Sequence, residues 1–330
     1  MTFNKDLNYV NFLTQIKPDP ALLGGKGSNL VKLAQIGVRV PPAFIINVKS
    51  YKTFLERSEY SMQIQELLRK DFNAKDVLHL SSNIKDSILN SALPEDVILE
   101  VKFAFEQISK NYSGEISFAV RSSASIEDSS KFSFAGQADT FLYNTNFDDL
   151  KLSIKKCWAS LFSPSAMLYL LQMRKQGFKL SLLDIEMAIV VQKMIHSQIS
   201  STLFTINVLN NDTNKIYIIS TWGLGETLAN NIIVPDAIIV DKDTFEIVKL
   251  DIGKKEKKSI QNPDGSGTIL VENDPRSRTT CSLTEDQIHQ ICKIGLKIES
   301  AFQFPQDIEL AIENDEIYVL QARPITTLKI

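Results

Sequence analysis

The stretch that most constrains the fold is residues 307–324, near the carboxyl end of the chain. Two runs of alternating apolar and polar residues flank a short Asn-Asp loop, and this pattern predicts an antiparallel β-hairpin. Pairing Glu313 with Ile317 sets the register, which places Glu309 opposite Gln321. The other, apolar face of the predicted hairpin comprises Ile308, Leu310, Ile312, Tyr318 and Leu320. The hairpin therefore needs a packing partner on one face and leaves polar side chains on the other.

The polar face of the predicted hairpin carries groups that suit a metal-bound phosphate. The same register places Asp307 opposite Arg323, beside the pair of Glu309 and Gln321. Opposed side chains lie roughly 4.5–5.5 Å apart at Cβ, so a carboxylate and an amide carbonyl can share Mg²⁺, which prefers oxygen ligands. The Arg323 guanidinium can hold a phosphate through two parallel hydrogen bonds. An amphipathic surface hairpin explains the same pattern, so other segments must decide between the two interpretations.

Composition restricts the class of protein. The chain has 330 residues, enough for two lobes with separate cores, and its 44% hydrophobic and 23% charged residues are ordinary for a globular protein. A net charge of −3 offers no global field for nucleic acid. The sequence has no apolar run of about 18 residues and no signal-peptide core, so we predict no membrane partner. Three cysteines without a CxxC pair predict free thiols in a reducing compartment, hence a cytoplasmic protein.

The first candidate phosphate-binding segment is Gly24-Gly25-Lys26-Gly27. It predicts the start of a helix, with Ser28 or a neighbour as N-cap and Gly37 at the end. Glycines at a helix N-terminus let backbone N–H groups approach an anion, and Lys26 adds a positive charge. The segment is not a Walker A loop. A simple turn into a helix is the alternative interpretation.

Two further segments have the character of nucleotide contacts. A short buried strand runs into Arg121, and a loop rich in small and hydroxyl-bearing residues then extends to Gln137. Together they supply the forked guanidinium group of Arg121 and a flap of N–H and O–H donors that can cover a triphosphate. A Ser-rich surface loop is the alternative interpretation. A later apolar strand ends at residues 192–195, whose backbone could offer a donor and an acceptor to adenine. By contrast, the charge run Lys254–Lys258 predicts a solvent-exposed loop.

Eight such segments occur in an order that one family shares. They are Gly24-Gly25-Lys26-Gly27, Phe118-Ala119-Val120-Arg121-Ser122-Ser123, Phe134-Ala135-Gly136-Gln137, Cys157-Trp158-Ala159-Ser160-Leu161-Phe162, Gln192-Lys193-Met194, Trp222-Gly223-Leu224-Gly225-Glu226, Asp307-Ile308-Glu309 and Leu320-Gln321-Ala322-Arg323-Pro324. The chain resembles the N-terminal ATP-binding domain of phosphoenolpyruvate synthase, pyruvate phosphate dikinase and rifampicin phosphotransferase, from about residue 20 to 327.

The resemblance implies a fold and a set of site residues. The fold would be α+β and ATP-grasp-like, with two lobes at residues 1–180 and 181–330. The catalytic residues would be Lys26, Arg121 and Arg323, all facing the phosphates of ATP. The ATP-binding set would comprise Lys26, Arg121, Ser122, Gly136 and Gln137 at the triphosphate and Gln192, Lys193, Met194 and Ile195 at the adenine. The Mg²⁺ ligands would be Glu309 and Gln321.

The resemblance also implies a reaction, with departures that leave alternatives open. In the family, ATP passes its β-phosphoryl group to a histidine of a swivelling domain and leaves AMP. Here no histidine has that context, and Ser200-Ser201 stands where the family has Ser-Gly, which puts the ribose side in question. Three interpretations remain. The chain is the ATP half of a split phosphotransferase, whose phosphohistidine acceptor is on another chain or outside this sequence. Alternatively, it is a stand-alone enzyme acting on a small molecule, or a non-catalytic nucleotide-binding module. Retention of both metal ligands with the three cations argues against the last.

Overall fold

A computed structural model describes residues 7–124, 140–178, 181–264 and 267–326, together with the backbone of 128–129 and 132–133. The chain divides into two compact units. Unit 1 comprises the described residues up to Val31 and Pro42–Met194, and unit 2 comprises Lys32–Pro41 and the described residues from Ile195 onward. Each unit has its own antiparallel sheet and helices, which confirms the predicted α+β class.

The elements of unit 1 surround a five-stranded sheet of order β1-β2-β7-β3-β6. In chain order they are β1 (Val10–Phe12), α1 (Pro20–Gln35, whose last turn belongs to unit 2), β2 (Ala43–Ile46), α2 (Val48–Arg57), α3 (Ser61–Arg69), α4 (Val77–Asn90), α5 (Glu95–Ser109), β3 (Phe118–Ala124), β4 (Asp128–Ser129), β5 (Phe132–Ser133), β6 (Thr140–Asn144), α6 (Phe147–Ser160), α7 (Pro164–Lys175) and β7 (Met187–Lys193).

One face of this sheet forms the core of unit 1 with the helices. Val120 of β3 and Val191 of β7 are fully buried partners in register, and both belong to the main apolar cluster. Trp158 of α6 lies in the same cluster, with its ring centroid 4.9 Å from that of Phe54. The tryptophan is therefore a core residue, as its apolar surroundings in the sequence predict.

The boundary between the units differs from the predicted one. The sequence places it after residue 180, in a stretch that reads as a linker, whereas the structure places it between Met194 and Ile195. Strand β7 is the reason, because it pairs with β2 on one side and with β3 on the other at the centre of the unit 1 sheet. Its continuous apolar run is the pattern of such a central strand, but the pattern does not say which sheet the strand joins.

The elements of unit 2 are built on a six-stranded sheet of order β11-β10-β9-β8-β14-β15. They are β8 (Ile199–Phe204), β9 (Lys215–Trp222), α8 (Glu226–Ala229), β10 (Asp236–Asp241), β11 (Ile247–Asp251), β12 (Lys257–Gln261), β13 (Thr268–Glu272), α9 (Pro275–Thr279), α10 (Glu285–Phe302), β14 (Gln306–Glu313) and β15 (Glu316–Pro324). Among the described elements, none is a helix long and apolar enough to cross a membrane.

Helix α10 covers one face of the unit 2 sheet. It begins with a capping box, in which Thr284 and Gln287 exchange side-chain and backbone hydrogen bonds. At Gly295 an added Cβ would lie 2.7 Å from a methyl carbon of Leu203 in β8, so the helix approaches the sheet at a glycine. Leu203 pairs with Ile308 of β14. The apolar side of the hairpin therefore faces α10, and the opposite side carries Glu309.

The charge run near residue 255 is not fully exposed as predicted. The Lys255 ammonium forms an ion pair with Asp236, and neither side chain has any solvent exposure. Lys254 and Lys257 on either side are exposed, as expected for a loop. Lys255 is buried because the Asp236 carboxylate and the Gly253 carbonyl, 2.8 Å away, accept its hydrogen bonds.

Candidate functional site

The hairpin of β14 and β15 confirms the predicted pairing at its candidate site and changes it at the loop. Glu309 lies opposite Gln321, as the sequence predicts. The predicted pairing of Glu313 with Ile317 is wrong, because Glu313 pairs with Glu316 across a two-residue turn. Asn314 and Asp315, the two turn residues, have φ of 51° and 62°, the left-handed conformation that tight hairpin turns require.

A β-bulge reconciles these two registers. The pairing shifts by one residue between Glu309 and Leu310, which leaves Leu320 as the extra residue of β15. The apolar face near the turn therefore contains Ile317 and Val319, not Tyr318 and Leu320 as predicted. The bulge lies directly beside Gln321. It allows the hairpin to keep an apolar face against α10 while turning Gln321 to the same side as Glu309.

The oxygen groups of Glu309 and Gln321 fit a magnesium ion. Gln321 is buried, and its Oε1 atom has no hydrogen-bond partner among the residues that the structure describes. A buried amide oxygen without a partner costs free energy, so a cation ligand would satisfy it. Within the described part of the chain, no group of three or more His, Cys, Asp or Glu residues could hold a metal. One carboxylate and one amide oxygen match the few protein ligands that Mg²⁺ takes when phosphate and water supply the others.

Arg323 is oriented by its neighbour on the same face. Its Nε and Nη2 atoms each lie 2.9 Å from Oδ2 of Asp307. Burial raises the pKa of Asp307, while the Arg323 charge acts in the opposite direction. The guanidinium side chain remains 45% exposed, so an anion can reach it. Asp307 thus holds the planar group at the edge of the Glu309 and Gln321 pair.

The Gly-Gly-Lys-Gly segment of unit 1 lies at a kink in α1, and a second helical segment begins directly after Gly24, as the sequence predicts. The helix begins at Pro20, where Asp19 Oδ1 accepts the N–H of Ala21 at 3.0 Å, and Ser28 is an interior helical residue rather than the predicted N-cap. Gly24 interrupts the helix with φ 68° and ψ 174°. Lys26 follows the kink, and its Nζ donates to the carbonyl of Ser122 in β3 at 3.0 Å. This hydrogen bond therefore links the turn of α1 that carries Lys26 to β3, the strand that carries Arg121.

A comparison with known protein families shows which family this chain belongs to. A family described as the pyruvate phosphate dikinase AMP/ATP-binding domain matches residues 20–330. The chain belongs to this family. It is 36% identical to a probable phosphoenolpyruvate synthase of Pyrococcus horikoshii over 95% of this chain and 43% of that protein. It is 34% identical to a rifampicin phosphotransferase of Bacillus subtilis over 94% of this chain and 35% of that protein.

The dikinase ATP-binding domain here thus corresponds to part of longer proteins. A probable phosphoenolpyruvate synthase of Methanocaldococcus jannaschii is 34% identical over 99% of this chain and 27% of its own length. The chain spans less than half the length of each of these relatives.

Strand alternation separates the neighbouring residues of the family's Arg-Ser-Ser segment. In β3, Ser122 pairs with Ile189 and faces the apolar core, and its Oγ has no hydrogen-bond partner among the described residues. Arg121 faces the other side, the side on which Gln192 of β7 lies. Ser122 therefore contributes its backbone carbonyl to this site, through Lys26. The side chain that shares the Arg121 face is Ser123, which the sequence analysis left out of the site.

In the segment expected at the adenine, the backbone N–H groups that belong to unit 1 are already hydrogen-bonded. The N–H groups of Lys193 and Met194 donate to the carbonyls of Pro42 and Ser117, both at 2.8 Å. The N–H of Ile195, the next residue, has no hydrogen-bond partner within the described part of the chain. An adenine acceptor nitrogen at this segment would therefore meet Ile195. Gly136 and Gln137, the predicted flap residues, lie outside the described residues.

The departure from the family motif at Ser201 leaves the Glu309 face of the unit 2 sheet unchanged. Ser201 pairs with Leu310, whose side chain is buried on the α10 side. Its hydroxyl donates to the carbonyl of Ile219 at 2.9 Å. The serine that replaces glycine therefore adds a hydrogen bond within the sheet, on the side away from Glu309.

Proposed function

We propose that this chain is the Mg-ATP-binding domain of a dikinase-type phosphotransferase with an ATP-grasp-like fold. The observation that carries the proposal is the Glu309–Gln321 pair beside an oriented arginine. The buried amide oxygen of this pair has no hydrogen-bond partner among the residues that the structure describes. Membership of the dikinase family supports the choice of ATP as the nucleotide.

Each candidate residue has a separate task in this proposal. Glu309 and Gln321 hold Mg²⁺, which when bound neutralises charge on the phosphate oxygens. Lys26, Arg121 and Arg323 bind the triphosphate and stabilise the charge that develops on the transferred phosphoryl group. In phosphoryl transfer, positioning and electrostatics supply most of the rate enhancement, and one well-placed donor is worth about 3–4 kcal/mol of transition-state stabilisation.

The remaining residues bind the ends of the nucleotide. Gln192 and the backbone of Lys193, Met194 and Ile195 line the adenine, with the Ile195 N–H as the hydrogen-bond donor. Gly136 and Gln137 close over the phosphates. Ser122 acts through its carbonyl, which accepts a hydrogen bond from the Lys26 ammonium at 3.0 Å.

We propose that the phosphoryl acceptor is a histidine on a phosphohistidine domain outside this sequence, and that the protein is cytoplasmic. Transfer of the β- and γ-phosphates to the histidine breaks the bond between the α- and β-phosphates, so AMP is the nucleotide product. Water then cleaves the bond between the β- and γ-phosphates, so that inorganic phosphate leaves and the β-phosphoryl group remains on the histidine. The longer relatives, a probable phosphoenolpyruvate synthase and a rifampicin phosphotransferase, support a phosphotransferase whose final acceptor is a small molecule.

Product analysis tests this proposal. The protein is incubated with Mg²⁺ and ATP labelled at the β-phosphate, with and without a separately expressed phosphohistidine domain. We expect AMP and a labelled histidine only when that domain is present. Formation of ADP or AMP with a small acceptor alone would show that the chain is a stand-alone enzyme and would contradict the proposal. ATP binding without any product would show that it is a non-catalytic module.

The metal-ligand assignment has its own test. Glu309→Gln should lower product formation about 100-fold or more, because the carboxylate charge at the metal is lost. The matched control is Glu313→Gln on the same strand, whose Oε1 accepts the His196 N–H at 2.8 Å, an acceptor that glutamine keeps. Thermal unfolding of both variants checks the fold. Equal activity of the two variants would contradict the assignment.

A further inference from the structure

We infer that Ser123 positions the turn of α1 that carries Lys26. Its hydroxyl takes the place of one helical hydrogen bond in α1 and so holds the lysine at the phosphate site. The inference rests on the proposed role of Lys26 in binding the triphosphate of ATP. Ser123 itself need not touch the nucleotide.

The hydroxyl of Ser123 is inserted into the backbone of the helix. Its Oγ donates to the carbonyl of Leu23 at 2.8 Å and accepts the N–H of Gly27 at 2.9 Å. In an uninterrupted α-helix these two backbone groups, four residues apart, would bond to each other. The side chain of a strand residue thus bridges them, and both hydrogen-bonding roles of the hydroxyl are used.

The surroundings leave no room for a different link between strand and helix. Ser123 is fully buried, and an added Cβ at Gly24 would lie 1.9 Å from the Ser123 carbonyl oxygen. The strand backbone therefore lies directly against the kinked turn. Gly24 permits this approach because it has no side chain and adopts a positive φ.

Lys26 stands between the two anchored points. Ser123 fixes the carbonyl of Leu23 before it and the N–H of Gly27 directly after it. The ammonium of Lys26 itself reaches the carbonyl of Ser122. The backbone from which the lysine side chain extends is thus set by β3, the strand that also carries Arg121. One hydroxyl couples the positions of two cations proposed to bind the same triphosphate.

The test is a double-mutant cycle of Ser123→Ala and Lys26→Ala, with dissociation constants measured for Mg-ATP and for AMP. We expect Ser123→Ala to weaken Mg-ATP binding about tenfold, because a misplaced Lys26 loses its phosphate contact. AMP lacks the β- and γ-phosphates, so its binding should change less than about twofold. In the Lys26→Ala background, Ser123→Ala should cause no further loss of Mg-ATP binding, since it acts through the lysine.

Controls separate positioning from general destabilisation. Ser81→Ala in α4 removes another buried hydroxyl, which donates to the Phe162 carbonyl at 2.6 Å, and should affect stability without changing either dissociation constant. If Ser123→Ala does not fold, Ser123→Cys keeps the shape of the side chain with a larger atom in place of the oxygen, weakens both hydrogen bonds and enters the same cycle.

Four outcomes would contradict the inference or the role of Lys26 on which it rests. Equal weakening of Mg-ATP and AMP by Ser123→Ala, or a full additional loss in the Lys26→Ala background, would overturn the inference. Unchanged Mg-ATP binding by Ser123→Ala, with weakened binding by Lys26→Ala, would overturn it while leaving the proposed function intact. Unchanged binding by Lys26→Ala would instead reject the proposed role of the lysine.

Discussion

Lys255 and Asp236 show how a single buried charge can be accommodated in unit 2. Asp236 accepts hydrogen bonds from the backbone N–H and the hydroxyl of Ser282 at 2.7 and 2.8 Å and from the Gly253 N–H at 3.0 Å, in addition to the lysine. Every oxygen of the carboxylate is thus satisfied. The cost of removing both charges from water is offset only while the network is complete.

Breaking this pair should destabilise unit 2 strongly. Lys255→Met leaves the Asp236 carboxylate buried without its cation, which costs about 3 kcal/mol of unfolding free energy. Lys254→Met, at an exposed neighbouring position, should change it by less than about 0.5 kcal/mol. Pulse labelling of Cys292 across a urea series measures the unfolding of unit 2. Similar midpoints for the two variants would show that the ion pair contributes little.

The same residue shows where sequence reasoning fails at this scale. In the run Lys254–Lys258 no periodicity distinguishes Lys255 from its neighbours. Its burial depends on Asp236, which is distant in sequence, and on a backbone φ of 39° that turns it inward. By contrast, the position of Ser123 on the same face of β3 as Arg121 could have been predicted from the sequence, because side chains alternate along a strand.

At the scale of elements, the kink in α1 is the feature most sensitive to substitution. Gly24 and Gly37 belong to the same helix region and have nearly equal φ, 68° and 70°. They differ in their surroundings: a Cβ at Gly24 would overlap the Ser123 carbonyl at 1.9 Å, whereas at Gly37 the nearest atom is Lys297 Nζ at 3.8 Å. At Gly24 a side chain would meet this overlap and also a backbone conformation, φ 68° with ψ 174°, that is essentially restricted to glycine, whereas at Gly37 it would have space.

Gly24→Ala should be far more damaging than Gly37→Ala. At Gly37, an alanine suffers only the left-handed conformation, about 1–2 kcal/mol of unfolding free energy. At Gly24 the strand must also move, so we expect a loss of more than about 3 kcal/mol, or a folded protein with weakened Mg-ATP binding. Denaturant unfolding and a Mg-ATP titration measure the two effects. Equal losses of stability with unchanged binding would contradict the close approach of β3 to the kink.

The hairpin shows how far an element can be predicted. Alternation places Glu309 opposite Gln321 correctly, because a buried face fixes which residues point inward. It fails at the turn, since the one-residue shift at Leu320 exchanges Tyr318 and Leu320 for Ile317 and Val319, which are also apolar. Composition cannot distinguish these two registers. The positive φ of Asn314 and Asp315 decides between them by forming a two-residue turn.

At the scale of the whole molecule, two units with separate sheets imply that stability is measurable unit by unit. Cys157 lies fully buried in unit 1, and Cys292 lies fully buried in unit 2. Burial raises the pKa of the Cys292 thiol to about 12. Since the thiolate is the reactive form, Cys292 reacts at neutral pH only when unit 2 opens.

Thiol labelling therefore tests whether both units bind one nucleotide. A ligand that binds only the folded form at about 100 times its Kd adds about 2.7 kcal/mol of stability, which slows labelling through unfolding about 100-fold. The residues proposed to bind Mg-ATP are Lys26 and Arg121 of unit 1 and Glu309, Gln321 and Arg323 of unit 2, so Mg-ATP should protect both Cys157 and Cys292. Peptide-resolved mass spectrometry measures both rates, and labelling in denaturant, with and without Mg-ATP, controls for quenching of the reagent. Protection of Cys157 alone would mean that unit 1 binds the nucleotide without the hairpin, and the metal site proposed at Glu309 and Gln321 would have to be abandoned.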